Sequence, residues 1–370
     1  MATNQPPALT IGPHTARLPI VQGGMGVHIS LSGLASAVAN EGGIGVIATA
    51  GIGMNESDVY TNFLEANKRA LRREIQLARE KTRGLIGVNI LVALSNYADM
   101  VRTAVEEEAH FIFSGAALPL TLPSLLEGST HTKLIPIVSS ARSARIIIRR
   151  WLDKYHYRPD ALVLEGPKAG GHLGFKPEQI DDPAYALEAL LHPVLREAEA
   201  TGTQDGLPIP VIAAGGIYTG EDIYKVMAMG ASGVQMATRF VTTEECDASE
   251  EFKKAYIAAR PEDLIIIKSP IGLPGRAIRN EFLNEVEAGK RMPYKCPYQC
   301  IVTCDYQNSP YCIALALVNA ARANLKSGFA FAGTNAYRAD RITTVREIVR
   351  SLLDEYAQAR EHACQGALAE

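Results

Sequence analysis

One histidine stands out by its setting. His172 closes the stretch Glu165-Gly166-Pro167-Lys168-Ala169-Gly170-Gly171-His172 and is followed by Leu173-Gly174. Imidazole titrates near pH 6.5 and so moves protons at neutral pH. Flanking glycines after the apolar run 161–165 leave the ring in an open loop, as a catalytic acid or base requires. The plainer alternative is a structural histidine that satisfies a backbone carbonyl. Of the other histidines, His28 lies just beyond the glycine loop 23–26 and is placed to line the same pocket.

A second chemistry is phosphate binding. The apolar run 210–214 leads into Gly215-Gly216-Ile217, with a helix expected from about Thr219. Glycine lets backbone amides approach a phosphate closely, and a helix N-terminus adds a favourable field. The next run, 233–240, brings Thr238 to the same place. The alternative is a pair of tight turns needed only for packing. Two other nucleotide signatures fail. Gly42-Gly43-Ile44-Gly45 precedes its strand instead of following it, and no Gly-x-x-x-x-Gly-Lys-Ser/Thr occurs.

Sulfur offers a third. Cys296, Cys300, Cys304 and Cys312 fall in one short stretch, whereas Cys246 and Cys364 stand apart. Four close thiolates are what an iron–sulfur cluster requires, although the spacing matches neither standard ferredoxin run; zinc sites more often use paired Cys-x-x-Cys knuckles. The competing reading is a set of small buried side chains in a helical cap.

Eight runs rich in Val, Ile and Leu position these residues: 19–22, 44–48, 85–91, 111–114, 134–139, 161–165, 210–214 and 233–240. Amphipathic segments at 56–82, 97–109, 141–154 and 219–229 lie between them, the alternation of a buried parallel sheet. An open doubly wound sheet uses the same alphabet, but eight units suggest an α/β fold of the (β/α)8 TIM-barrel type. In either architecture ligands bind at the strands' carboxyl ends. After Phe240 the chain reads as a C-terminal, mostly helical extension capping the barrel mouth, ending in an amphipathic helix over 343–358. The expected division is a barrel over 1–242, a cap over 243–340 that carries the cysteines, and a helix over 341–370 packed back on the barrel.

With 370 residues, 47% hydrophobic and 21% charged, and a net charge of -3, the chain has the balance of an ordinary soluble globular protein. Nothing points to nucleic acid or a membrane surface. The start lacks a secretory signal and no run is long enough to cross a bilayer, so a cytoplasmic location is expected. A homodimer is compatible with the sequence.

Taken together, the motifs resemble the nitronate monooxygenase (2-nitropropane dioxygenase) superfamily, which also holds flavin-dependent enoyl-ACP reductases and NAD(P)H:quinone reductases. Over about residues 18–350 the chain carries, in the family's order, Pro19-Ile-Val-Gln-Gly-Gly-Met-Gly26, Gly87-Val-Asn-Ile90, Val138-Ser-Ser140, the Glu165 to Gly174 segment, Ala213-Ala-Gly-Gly-Ile217, Gln235-Met-Ala-Thr-Arg-Phe240, Ser269-Pro-Ile-Gly-Leu-Pro-Gly-Arg276 and Ala332-Gly333. The cysteine cluster departs from that pattern.

The resemblance implies FMN at the barrel mouth. It would be held by Gly24, Met25, Asn89, Ser140, Glu165, Gly170, Gly171, Gly215, Gly216, Gln235, Met236 and Thr238, with His172 facing a small-molecule substrate. The expected reaction is oxidation of alkyl nitronates, with His172 as base or nitronate-stabilising residue. The alternative is NAD(P)H-dependent reduction of enoyl thioesters or quinones, in which His172 would orient substrate or supply a proton. A module that binds FMN without catalysis is the third reading. An iron–sulfur cluster would favour a reductase over a monooxygenase.

Overall fold

The computed structural model describes residues 5–200, 207–291, 296 and 298–367. The chain opens with a hairpin of β1 (Leu9–Ile11) and β2 (His14–Ala16). There follow β3 (Ile20–Gln22), α1 (Ser32–Asn40), β4 (Ile44–Ala48), α2 (Phe63–Lys81), β5 (Leu85–Leu91), α3 (Tyr97–Glu106), β6 (Phe111–Gly115), β7 (Lys133–Val138), α4 (Ala141–Tyr155), β8 (Leu162–Glu165), the two-residue β9 (Gly171–His172), α5 (Leu187–Ala200), β10 (Val211–Ala214), α6 (Gly220–Ala228), β11 (Gly233–Met236) and the short α7 (Thr238–Val241). The extension supplies α8 (Glu250–Ala258), β12 (Leu264–Lys268), β13 (Pro274–Ile278), α9 (Glu281–Glu287), α10 (Ile313–Ala321) and α11 (Val345–Ala367).

Eight strands close a barrel in the order β10-β11-β3-β4-β5-β6-β7-β8, with every neighbouring pair parallel. Both faces of such strands are covered, which is why they read as continuous apolar runs. Val21, Ile44, Val46, Phe111, Ile135, Val163 and Ile212 pack inside the barrel. Leu9, Ile11 and Ala16 of the hairpin join that cluster and stopper its N-terminal end. Outside, the helices bury a larger core that includes Leu34, Leu71, Trp151, Leu191 and Leu352. The C-terminal helix α11 lies along α6, where Glu355 accepts from the Gly220 amide at 2.6 Å and pairs with Arg239.

Three sequence expectations differ in detail. The run 233–240 is a strand only to Met236; the backbone leaves the extended region at Ala237, and Thr238–Val241 turns into a helix that buries Phe240 in the outer core. The helix expected from residue 56 starts at Phe63, and Glu56 instead pairs with Arg69 and Arg73 of that helix. The extension is mostly helical but also holds a sheet. There β12 pairs with β13, and β13 pairs in turn with β9, the strand that carries His172. No helix of the described residues is long and apolar enough to cross a membrane.

Candidate functional site

A cavity of about 630 Å3 opens between the carboxyl ends of the barrel strands and the cap. Gly24, Met25, Asn89, Glu165, Gly170, Gly171, His172, Gly215, Gly216, Gln235, Met236 and Thr238 all line it. Residues from the ends of five separate barrel strands thus meet at one mouth, as the fold dictates for parallel barrels.

Two residues fall outside this set. Ser140 is the N-cap of α4, its hydroxyl accepting from the Ser143 amide, so Ser139 and Ser143 reach the cavity instead. His28 turns away: Nε2 lies 3.2 Å from the Ile52 carbonyl oxygen, and Nδ1 lies 3.1 Å from the Asn55 amide nitrogen. Burial holds its pKa below the usual histidine value. It braces a loop behind the pocket.

On one side of the cavity lies a glycine cradle. Gly215 and Gly216 have φ of 92° and 96°, a region that side-chain-bearing residues avoid. A Cβ on Gly215 would sit 2.6 Å from the Gly166 oxygen, and one on Gly216 would meet the aliphatic stem of Lys168. Lys168 therefore drapes over the turn expected to hold phosphate. Asp222 accepts from the Tyr218 and Thr219 amides and Glu355 from Gly220, so carboxylates of the chain already occupy the N-terminus of α6.

A strap from the extension closes the cradle. The Gly333 amide donates to Thr238 Oγ1 at 3.1 Å, Asn335 Nδ2 to the Gly216 oxygen at 2.7 Å, and the Thr334 amide to the Lys168 oxygen at 3.2 Å. Gly170 is required here, because its Cβ would lie 2.5 Å from the Ala332 carbonyl carbon.

The opposite side is apolar, with Met54, Phe63, Leu94, Ile271, Leu273, Leu317 and Phe331 contributed largely by the cap. His172 stands at this boundary. Its Nε2 lies 2.7 Å from Ser269 Oγ, and its ring meets Phe331 edge-on at 4.9 Å. Burial drives its pKa down to about 4, so the imidazole is neutral at physiological pH. The Ser269 hydroxyl also accepts from the Ile271 amide at 3.4 Å. No partner of His172 Nδ1 occurs among the described residues. Across the mouth, burial alone lifts Glu165 to about 7. The cavity therefore holds a neutral imidazole and a carboxyl that titrates near neutrality.

Lys168, Ser269 and Asn335 were missed as site residues. Lys168 sits inside the His172 segment, but nothing local reveals that its stem crosses Gly216. Ser269 and Asn335 arrive through β12–β13 pairing and the strap, contacts 97 and 119 residues long.

The four clustered cysteines lie in the cap beside this cavity and are free thiols. Among the described residues no group of three or more His, Cys, Asp or Glu side chains converges to hold a metal ion. The four thiols, expected as iron–sulfur ligands, thus do not converge on a single ion. Burial, with the neighbouring thiols, pushes Cys300 up to about 12.

The nitronate monooxygenase family model matches residues 8–355. Among curated relatives, the (3aS,4S,5R,7aS)-5-hydroxy-7a-methyl-1-oxo-octahydro-1H-indene-4-carboxyl-CoA dehydrogenases of Mycobacterium tuberculosis and Rhodococcus jostii are 29% and 28% identical over 273 and 278 residues. These matches cover 74% of this chain and 66% of each relative, so the chain spans a little under two-thirds of their length. A probable nitronate monooxygenase of Staphylococcus saprophyticus is 31% identical over 156 residues, 42% of this chain and 40% of the relative. Among solved structures, FabK from Thermotoga maritima is 28% identical with a TM-score of 0.73, covering 95% of this chain and 96% of that one. Nitroalkane oxidase from Streptomyces ansochromogenes superposes with a TM-score of 0.71 over 94% of this chain and 98% of that one, but at 23% identity the likeness is one of fold alone.

Proposed function

The chain belongs to the nitronate monooxygenase family, a family of oxidoreductases, and on that premise we propose that it binds FMN at the barrel mouth and oxidises alkyl nitronates. The observation that carries the reading is His172, neutral and held between Ser269 and Phe331, across one cavity from a glycine cradle.

The residues present fit FMN. The positive-φ turn Gly215-Gly216, with Lys168 over it and Thr238 beside it, suits a phosphate. Gly24, Met25 and Asn89 on one side and the apolar cap on the other suit a flat ring system. Bound FMN would supply the two-electron redox chemistry. The chain's residues bind, orient and move protons. Ser269 engages Nε2 and fixes the ring, which leaves Nδ1 to take a proton from a nitroalkane or to face a nitronate. Phe331, Ile271 and Leu273 keep water from the reacting face.

His172→Ala tests this. Flavin absorbance of the purified variant should match that of the parent, while oxygen-dependent nitronate turnover falls about 100- to 10,000-fold, the usual worth of a positioned acid or base. Undiminished turnover makes His172 structural. A protein that neither carries nor takes up FMN ends the reading altogether.

A second reading, NAD(P)H-dependent reduction of an enoyl thioester, is favoured by the relatives named for a carboxyl-CoA substrate. There His172 would orient the thioester or return a proton, and Glu165 is a second proton-holding group in the same cavity. Anaerobic stopped-flow separates the two: in the first reading an alkyl nitronate reduces the oxidised flavin form of the enzyme, whereas in the second crotonyl thioester reoxidises the enzyme after NAD(P)H has reduced it.

A further inference from the structure

The cap contains a second, smaller cavity of about 360 Å3, and all four clustered cysteines line it. Among the described residues its other walls are Gln299, Ile301, Val302, Tyr306, Tyr311 and Ile313, with no histidine or carboxylate among them. The cysteines reach it from separate stretches of backbone. Cys300 is anchored to the barrel, because its carbonyl accepts from the Ser95 amide at 3.1 Å and the Val302 amide donates to Ala93 at 2.9 Å. Cys304 lies in the following loop, and Cys312 is the N-cap of α10. At the other end the chain bends back on itself: Gln299 takes a φ of 47°, and its amide donates to Cys296 Sγ at 3.2 Å.

These are not packing cysteines like the other buried one. Cys246 is 4% exposed, donates to the Ile29 carbonyl and has no role in this cavity. The four of the cluster are all half-buried and share one hollow.

A hollow walled by four sulfurs and no nitrogen or carboxylate ligand selects zinc or an iron–sulfur centre. The two need different spacings. A single tetrahedral ion with sulfurs at about 2.3 Å needs them about 3.8 Å apart, and such convergence is absent among the described residues. A polynuclear cluster places its own iron and sulfide atoms in the middle and keeps its four thiolate ligands at the periphery. Four thiols that line one cavity with room for several waters, without converging on one ion, suit the second case.

We propose that Cys296, Cys300, Cys304 and Cys312 ligate an iron–sulfur cluster in the cap, next to the larger cavity. Cys300, Ile301 and Ile313 line both hollows, so one layer of side chains separates them. The site stands independently of the flavin reading, because none of its four ligands is asked to hold flavin.

The test uses the full chain purified without oxygen and reconstituted with ferrous iron and sulfide. Iron, acid-labile sulfide, zinc and FMN are measured per chain. The expected result is about two or four irons with matching sulfide, falling to below about a fifth of that in Cys304→Ser and in Cys312→Ser. Cys364→Ser, exposed on α11, should keep full loading. Circular dichroism of each variant separates loss of ligand from loss of fold. Less than about half an iron per chain in the parent protein overturns the proposal. So does zinc at about one per chain without sulfide, and so does full loading in a Cys300→Ser/Cys304→Ser double variant. FMN content in the same samples reports on the other cavity, so failure of one site is distinguishable from failure of the other.

Discussion

Ser269 is the residue on which the behaviour of His172 turns. A hydrogen bond of this kind contributes about 0.5 to 1.5 kcal/mol, so Ser269→Ala should lower kcat roughly 3- to 10-fold while KM barely moves. Steady-state kinetics decide it, and an unchanged kcat would assign the serine only to the β12–β13 turn, where its backbone bonds Leu273 and Gly272. The pH profile offers a second check at the same atom. Because burial holds His172 near 4, the acid limb of kcat/KM should lie near that value and the profile should stay level from about pH 6 upward on the histidine's account. Stability carries a separate pH signature at the far end of the barrel. His110 accepts the Ile86 amide on Nδ1 at 3.1 Å and sits 5.0 Å and 5.3 Å from the rings of His14 and His131. Burial, and then those neighbours, lower it to about 4. The unfolded chain takes this proton near 6.5 and the folded chain only near 4, so stability is whole above 6.5 and declines as the pH falls through that window. Urea midpoints measured from pH 7 to 4 should drop, and His110→Gln should flatten the slope.

Helices and strands were legible where burial is two-sided. Runs such as Ile44–Ala48 and Leu85–Leu91 match the observed strands because a parallel barrel strand has no polar face to interrupt the apolar pattern. The capping box at Ser140 marks the start of α4 in the same local way, and that local role is what removes Ser140 from the cavity. Leu264–Lys268 was harder to read. Its consecutive isoleucines are strand-like, yet the strand is only partly buried and pairs with a single neighbour, β13, and the two strands stand between α8 and α9 in the chain. The Ser269–His172 and Asn335–Gly216 bonds had no local signal, since each depends on tertiary closure. The contact between α6 and α11 is also tertiary, and it yields a direct prediction. A Cβ at Gly220 would lie 2.1 Å from the Leu352 oxygen and 2.4 Å from the Tyr356 amide nitrogen. Gly220→Ala must therefore push the two helices apart, at a cost of about 1 to 3 kcal/mol. An unaltered denaturant midpoint would mean that α11 is not held tightly against the barrel.

For the whole molecule, cofactor and fold are linked. A ligand that binds only the folded chain adds about 2.7 kcal/mol at a hundredfold excess over its Kd. FMN should therefore raise the melting temperature of flavin-free protein in proportion to the logarithm of its concentration, and a flat response would argue against the cavity as its site. The strap Ala332–Asn335 has a further consequence, one of timing. A ribosome has delivered every barrel strand once it passes Met236, yet the wall that bears Ser269 and Phe331 and the ties from Gly333 and Asn335 are still to come. A nascent chain can therefore own a finished barrel and an unfinished workplace. Translation halted anywhere before residue 335 should release a polypeptide that is folded in its first part and catalytically silent.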